Sequence, residues 1–380
     1  MDLKNSEDLM NSNIDSNTKN IVKRVSTMCT IESFSTCVSV FKPCGKYDNS
    51  FGYTCNVNRL CEKCRVQKGT IENGHTFNFE LDSKVKGSLG IHPYGRGGDS
   101  KDYVSLSLHF KEFSCLMITA LCKFSISNVD GKEEYKSIIG VEEFDENKNS
   151  FCLQKFINRS DLLKRKSKLL PGDRLTVCFE IFYLCDDINT YGLSKATPIK
   201  EPLNIFLNDM SRMVDSSEYY DCIIKVGNHE LNVHKCILDA RSEVFRSALK
   251  RKRVEPESNI VEMNDFRLGV VKDMVNYLYT GKSPRIDEIA TEMLEIAEKY
   301  KLEGLKMIAT ESLLRSLNVE NVCEYLEKSE LYSAEVLKEF CVRYIYLNAE
   351  EVVKYEKWRK IVNFYPLLLE KIFNVTAGID

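Results

Sequence analysis

The sequence predicts a multi-domain chain: an N-terminal all-β sandwich, then an α/β domain, then an α-helical tail. Three observations predict it. Short apolar/polar alternations run through the first half, the signature of half-buried strands. Between Asp221 and Gly281 a strand pair feeds amphipathic helices. From Asn318 onward apolar residues recur at helical spacing. A chain of 380 residues is long enough for two or three domains with cores of their own.

In the first section, from about Ile21 to Asp187, YVSLSLHF alternates Val104, Leu106, Leu108 and Phe110. CKFSIS continues with Cys122, Phe124 and Ile126, and Asp130-Gly131 is a hairpin turn signal. LTVCFEIFY alternates Leu175, Val177, Phe179, Ile181 and Tyr183. Many short strands with Gly-rich connections predict a sandwich. Residues 188–203, with Pro198 and Pro202, read as a polar linker. In the next section Cys222, Ile224 and Val226 alternate with Ile223 and Lys225, and Gly227-Asn228 tolerates the positive φ of a tight turn. Leu231 and Val233 mark the returning strand, and His234-Lys235 the switch to a helix. Leu268, Val271, Val275 and Leu278 share one helical face, with Gly281 where a helix C-terminus favours glycine. The tail carries Val322, Leu326 and Leu331, then Val336, Leu337, Phe340 and Ile345, with Ser333 read as the N-cap of the second group.

Composition narrows the function classes. The formal net charge of -3 gives no reason to expect nucleic acid or an anionic membrane as partner. No apolar run approaches the ~18–20 residues of a membrane span. Residues 1–20 are polar and Asn-rich, without a hydrophobic signal core, and are expected to be a disordered tail. There are fifteen cysteines, an odd number, scattered through apolar strands and helices, as at Cys122, Cys178, Cys236 and Cys341, rather than spaced through loops as a disulfide framework would be. That usage fits free thiols in a reducing compartment, nucleus or cytoplasm.

The stretch DCIIKVG, VHKCILDARSEVF and NYLYTG resembles the BTB/POZ domain, a dimerising interaction module, with Asp221, His234 and Lys235 carrying its signature. SKDYVSLSL, KFSISNVDGKE, QKFINRSDLL and LLPGDRLTVCFEI resemble a MATH domain. MATH, then BTB, then a BACK-like helical tail is the order of the speckle-type POZ protein family, substrate adaptors of cullin-3 ubiquitin ligases. The resemblance sets the expected domains at 21–187 (MATH, with a Cys-containing insertion at about 42–80), 204–317 (BTB/POZ) and 318–380 (BACK-like).

What the resemblance implies can be placed residue by residue. The MATH sandwich would bind an extended, Ser/Thr-rich substrate segment in a groove where Tyr103 matches a family aromatic. Phe151 stands for a Trp, Leu153 for a Phe, and Cys122 for another ring. Asn149, Ser150 and Gln154 replace flanking charged groups, and a further family Tyr falls near Glu142. Phe206, Met210 and Met213 form an apolar stripe matching the helix that crosses the BTB dimer axis. Phe373 matches a Tyr used for BACK–BACK contact, which implies assembly beyond the dimer. For cullin-3 the family uses a hydrophobic residue, any residue, then Glu, on a loop after the VF-containing helix. Leu249 supplies the hydrophobe, but Arg251 stands in place of Glu, inside the run Lys250-Arg251-Lys252-Arg253.

Two readings of the insertion stay open. Cys44, Cys55, Cys61 and Cys64 include one C-x-x-C, which four thiolates could turn into a zinc site. The plainer reading is a flexible insertion with free thiols and no cofactor. No nucleophile signature or phosphate loop appears, so no enzymatic activity is expected. Beside the cullin-3 adaptor stands a second expectation, a dimeric scaffold without cullin recruitment that pairs with a competent relative.

Overall fold

The computed structural model describes residues 22–40, 74–82, 85–96, 98–113, 115, 117–186, 200–216, 219–252 and 259–377. The expected tail 1–20, most of the insertion, and most of the linker lie outside the described residues.

The first domain is built from β1 (Lys23–Ile31), α1 (Phe34–Val40), β2 (His75–Asp82), β3 (Val85–His92), β4 (Tyr103–Phe113), β5 (Met117–Ser127), β6 (Glu133–Phe144), β7 (Ser150–Asn158), α2 (Arg159–Lys164), α3 (Lys166–Leu169) and β8 (Leu175–Asp186). Two antiparallel four-stranded sheets form, in the orders β1-β8-β5-β6 and β2-β3-β4-β7. The alternating residues meet between them: Leu106, Leu108 and Phe110 from one sheet, Phe124, Val177, Phe179 and Ile181 from the other, all buried. Phe124 stacks on Phe179 with ring centroids 5.2 Å apart, and Phe79 approaches Phe179 to 5.4 Å. The Tyr183 hydroxyl donates to the Leu81 carbonyl across the sheets at 2.8 Å, which satisfies a buried polar group. The expected turn at Asp130-Gly131 joins β5 to β6, with Gly131 at φ +73°. Strand β2 begins at His75, so residues 75–80 belong to the sheet and not to the insertion.

The second domain opens with α4 (Lys200–Asp215), which starts inside the expected linker. Pro202 does not prevent this, because a first-turn proline removes an N–H that the helix does not use. Strands β9 (Cys222–Val226) and β10 (His229–Val233) form the expected hairpin, with Gly227 at φ +58°. Helices α5 (Lys235–Arg241) and α6 (Glu243–Lys252) lead to β11 (Ile260–Glu262), which pairs parallel to β9. Such a parallel pair needs a crossover, and the two helices provide it. Then follow α7 (Leu268–Thr280), α8 (Ile286–Lys299) and α9 (Glu303–Arg315). Gly281 ends α7 in the left-handed region at φ +71°, its N–H donating to the Tyr277 carbonyl.

The tail holds α10 (Val322–Leu331), α11 (Glu335–Leu347), α12 (Ala349–Val352), α13 (Glu356–Phe364) and α14 (Pro366–Ala377). Ser333 is not the N-cap of α11. It takes φ +51° at the end of α10, and the Ala334 N–H returns to the Ser329 carbonyl at 2.8 Å. Together with Ser333 N–H to Glu330, that closes a Schellman motif, which needs a left-handed residue more than it needs glycine. Among the described residues no helix is long and apolar enough to cross a membrane.

Phe179→Ala would leave a cavity beside two rings. The expected cost is about 3–5 kcal/mol, read as a lower denaturant midpoint for loss of β signal in far-UV circular dichroism. An unchanged midpoint would contradict this packing.

Candidate functional site

Strands β6 and β7 are the last strands of their respective sheets, and the two lie side by side along one flank of the sandwich. A terminal strand has unpaired backbone groups on its outer side, so this flank offers hydrogen-bonding edges as well as side chains. Register decides which side chains face the space between β6 and β7, the candidate cleft. Leu153 lies opposite Leu106 and Phe151 opposite Leu108, and these leucines point into the core, so Phe151 and Leu153 turn to the inter-sheet side. Ile139 does the same on β6, opposite Cys122. Phe151, Leu153 and Ile139 are all half-buried on the core cluster that contains Cys122.

Cys122 itself is buried. Burial, with the charge of Glu142 as the smaller cause, holds its thiol far above the ordinary range. It is therefore a small apolar floor, not a nucleophile. Glu142 sits opposite Ala120 on the same side of β6 and accepts a hydrogen bond from Lys148 Nζ at 2.7 Å. Tyr103 stands apart from the other three expected groove residues. Val104, Leu106 and Leu108 take the inward positions of β4, so Tyr103 falls on the outer face at the strand's end. There Lys155 places its amine 5.8 Å from the Tyr103 ring centroid, beside the irregular register of β7. Sequence reasoning missed Ile139 and Lys155. Period-two spacing from Leu153 would put Lys155 on the inter-sheet side, and nothing in a single strand reveals the register shift that sets it beside Tyr103.

The signature residues of the second domain form a lock. Asp221 Oδ1 accepts the Lys235 N–H at 2.7 Å, and Lys235 Nζ donates to Asn259 Oδ1 at 2.6 Å. The Tyr279 hydroxyl accepts the His234 N–H at 2.9 Å and lies 2.8 Å from His234 Nδ1, tying α5 to α7. Burial, only partly offset by that backbone N–H, pushes the Tyr279 phenol up to about 12. The lock ties the hairpin to α5 and α7.

The expected dimer stripe divides in two. Met210 and Met213 are half-buried against their own domain, whereas Phe206 is 56% exposed and adjoins the equally exposed Ile205. Phe373 is 70% exposed on α14, with Phe364 and Leu367 also in solvent. Leu249 and Arg251 lie in the last turns of α6 and not in a loop, with Leu249 half-buried on the core. The side chain of Arg251 is outside the described residues, as are Cys44, Cys55, Cys61 and Cys64. Among the described residues no three metal-ligating side chains cluster, although Cys37 Sγ comes within 4.0 Å of His75 Nε2.

Comparison with known proteins gives two family matches. The MATH domain profile matches residues 53–181 and the BTB/POZ domain profile residues 210–317. The mouse (Mus musculus) protein named TD and POZ domain-containing protein 2 is 34% identical over 305 residues, covering 80% of this chain and 84% of its own length. Among solved structures, the BTB domain of zebrafish PATZ1 aligns at 22% identity and a TM-score of 0.27, covering 32% of this chain and 98% of that one.

Tyr279→Phe keeps the ring and leaves two buried His234 groups without their partner, at an expected cost of about 1–3 kcal/mol in denaturation. The phenol is raised above its ordinary value, so its contribution is complete below about pH 10. It is lost as pH rises through about 12, and the two proteins should converge there. A constant difference across that window would contradict the assignment. Phe206→Asp alters an exposed residue, so it should leave folding intact while lowering the molecular mass seen by light scattering at micromolar concentration. An unaltered mass would remove Phe206 from the self-association face.

Proposed function

Because the chain belongs to the MATH–BTB family, we propose that it is a substrate-recognition adaptor of a cullin-3 ubiquitin ligase. MATH and BTB domains are interaction modules, and their pairing on one chain fits a substrate-adaptor family. In this reading the MATH cleft binds an extended segment of the substrate, and the BTB domain dimerises and recruits the cullin in the nucleus or cytoplasm. One observation carries it: the terminal strands β6 and β7 lie side by side with half-buried apolar side chains turned between the sheets, on a chain that also holds a BTB domain.

Extended-segment recognition suits this cleft. Edge backbone groups supply main-chain hydrogen bonds, while alternate side chains of the segment enter pockets. Here those pockets would be shallow and apolar over Cys122, Ile139, Phe151 and Leu153. Glu142 and Lys148 supply polar partners for Ser or Thr hydroxyls, and Lys155 stands at the rim. A dimer presents two such clefts, which raises avidity for substrates with repeated motifs. Phe373, with Phe364 and Leu367, would extend dimers into larger assemblies.

The cullin contact supports a second reading. Arg251 replaces the acidic residue the family uses, and like-charge opposition at an interface costs several kcal/mol wherever the partner is basic. A scaffold that lacks cullin recruitment, and that pairs with a competent relative, follows from that change.

Two measurements test the proposal. Binding of fluorescent Ser/Thr-rich peptides should be detectable by anisotropy and should fall at least about tenfold in Phe151→Glu, which sets a desolvated charge in the cleft. Equal binding by the variant would move the site elsewhere. The cullin-3 N-terminal domain should be retained weakly in a pull-down and more strongly by Arg251→Glu. No gain from that substitution would put the scaffold reading first.

A further inference from the structure

The outer face of the β1-β8-β5-β6 sheet is the unexplained feature of the molecule. A sandwich needs one apolar face per sheet, yet Ile181, Phe182, Tyr183 and Leu184 are all buried in succession. Ile181 and Tyr183 face the partner sheet. Phe182 and Leu184 face the other way, and with Val22, Leu121 and Val141 they join the core cluster of the α/β domain and tail.

The cover comes from the helices. The Phe182 ring meets Tyr346 of α11 edge-on, with centroids 6.0 Å apart. Arg343 of α11 is 2% exposed, donates from Nη2 to the Val22 carbonyl at 3.2 Å, and lies 5.7 Å from the Phe182 centroid. Arg24 answers from β1. Its Nη2 donates to the Tyr346 hydroxyl at 3.1 Å, its Nη1 to the Val375 carbonyl of α14 at 3.2 Å, and its Nε to Glu180 at 2.7 Å. Around the rim, Arg315 of α9 pairs with Glu143 of β6 at 3.6 Å, and Lys136 of β6 with Glu350 at 3.8 Å.

We infer that this sheet face and helices α9, α11 and α14 form a lasting docking interface that holds the sandwich at a set orientation on the rest of the chain. Arg343 fixes the register of the contact: paired with Glu339 on its own helix, it reaches the Val22 carbonyl and the Phe182 ring of the sandwich, and separation would break both contacts. Separation would also return five apolar side chains to water. The consequence reaches the cleft, because β6 has two faces. Ile139 and Glu142 face the cleft, while Ile138, Val141 and Glu143 face the helices. One wall of the cleft is therefore braced from behind. Arg24 also grips α14, the helix that exposes Phe373, so the interface fixes the cleft relative to that surface. This interface does not depend on the adaptor reading.

The test cuts the covalent link and asks whether the contact persists. A protease site is placed in the full-length protein within residues 188–199, and the cleaved protein is passed over a size-exclusion column at micromolar concentration. The two pieces should co-elute, and Phe182→Asp should separate them, because it sets a charge against the Tyr346 ring. Tyr346→Asp attacks the same contact from the helical side and should separate them equally. It serves as the deciding variant if Phe182→Asp lowers the β signal of the sandwich. Separation of the pieces without any substitution, or co-elution that survives Tyr346→Asp, overturns the inference.

Discussion

A strand with apolar side chains on both faces must be covered twice, and β8 is that strand. Its inward residues, Val177, Phe179 and Ile181, close the sandwich against β3 and β4. Its outward residues, Phe182 and Leu184, require something that the sandwich alone does not contain. Helix α11 meets that requirement, and the rest of the architecture follows from it. The tail must fold back to the N-terminal domain, β1 is held from both sides by Arg24, and β6 is presented with one face to the helices and one edge to solvent.

The proposed contact surfaces lie on separate parts of the chain. The cleft lies along the free edges of the sandwich, where strand pairing ends and backbone groups remain available. The Asp221–Lys235 and His234–Tyr279 contacts set the hairpin against α5 and α7, and they fix the domain that leads to self-association. Exposed Phe206 and Phe373 stand on different elements, α4 and α14, so two distinct self-contacts are geometrically compatible. Among the described thiols, burial pushes Cys29 and Cys323 up to about 11, away from nucleophilic use near neutral pH.

Much of the fold was legible because period-two and helical spacings are local signals. The runs through Leu106, Phe124 and Phe179, the turns at Gly131 and Gly227, and the stop at Gly281 all stand where the residues indicate. What escaped were properties set by distant partners. The alternation in β8 points inward through Tyr183, and only the helices explain why Phe182 is buried too. Ser333 has the chemistry of a cap, yet the reversal after α10 demands a left-handed residue there. The resemblance named Phe151 and Leu153 as groove residues, and both lie on the terminal strand β7. It also grouped Tyr103 with them, although strand parity puts that ring around the corner beside Lys155. The resemblance placed Leu249 and Arg251 on a loop after the VF-containing helix, but helix α6 extends through both.

The proposed function requires that an extended peptide bind between β6 and β7. Methyl-labelled isoleucine spectra of the full-length protein, titrated with a Ser/Thr-rich peptide, test it most directly. The Ile139 methyl signal should shift progressively, while Ile224, buried in the β9 core of the second domain, stays in place. Saturating peptide that shifts other isoleucines and leaves Ile139 unmoved would contradict it.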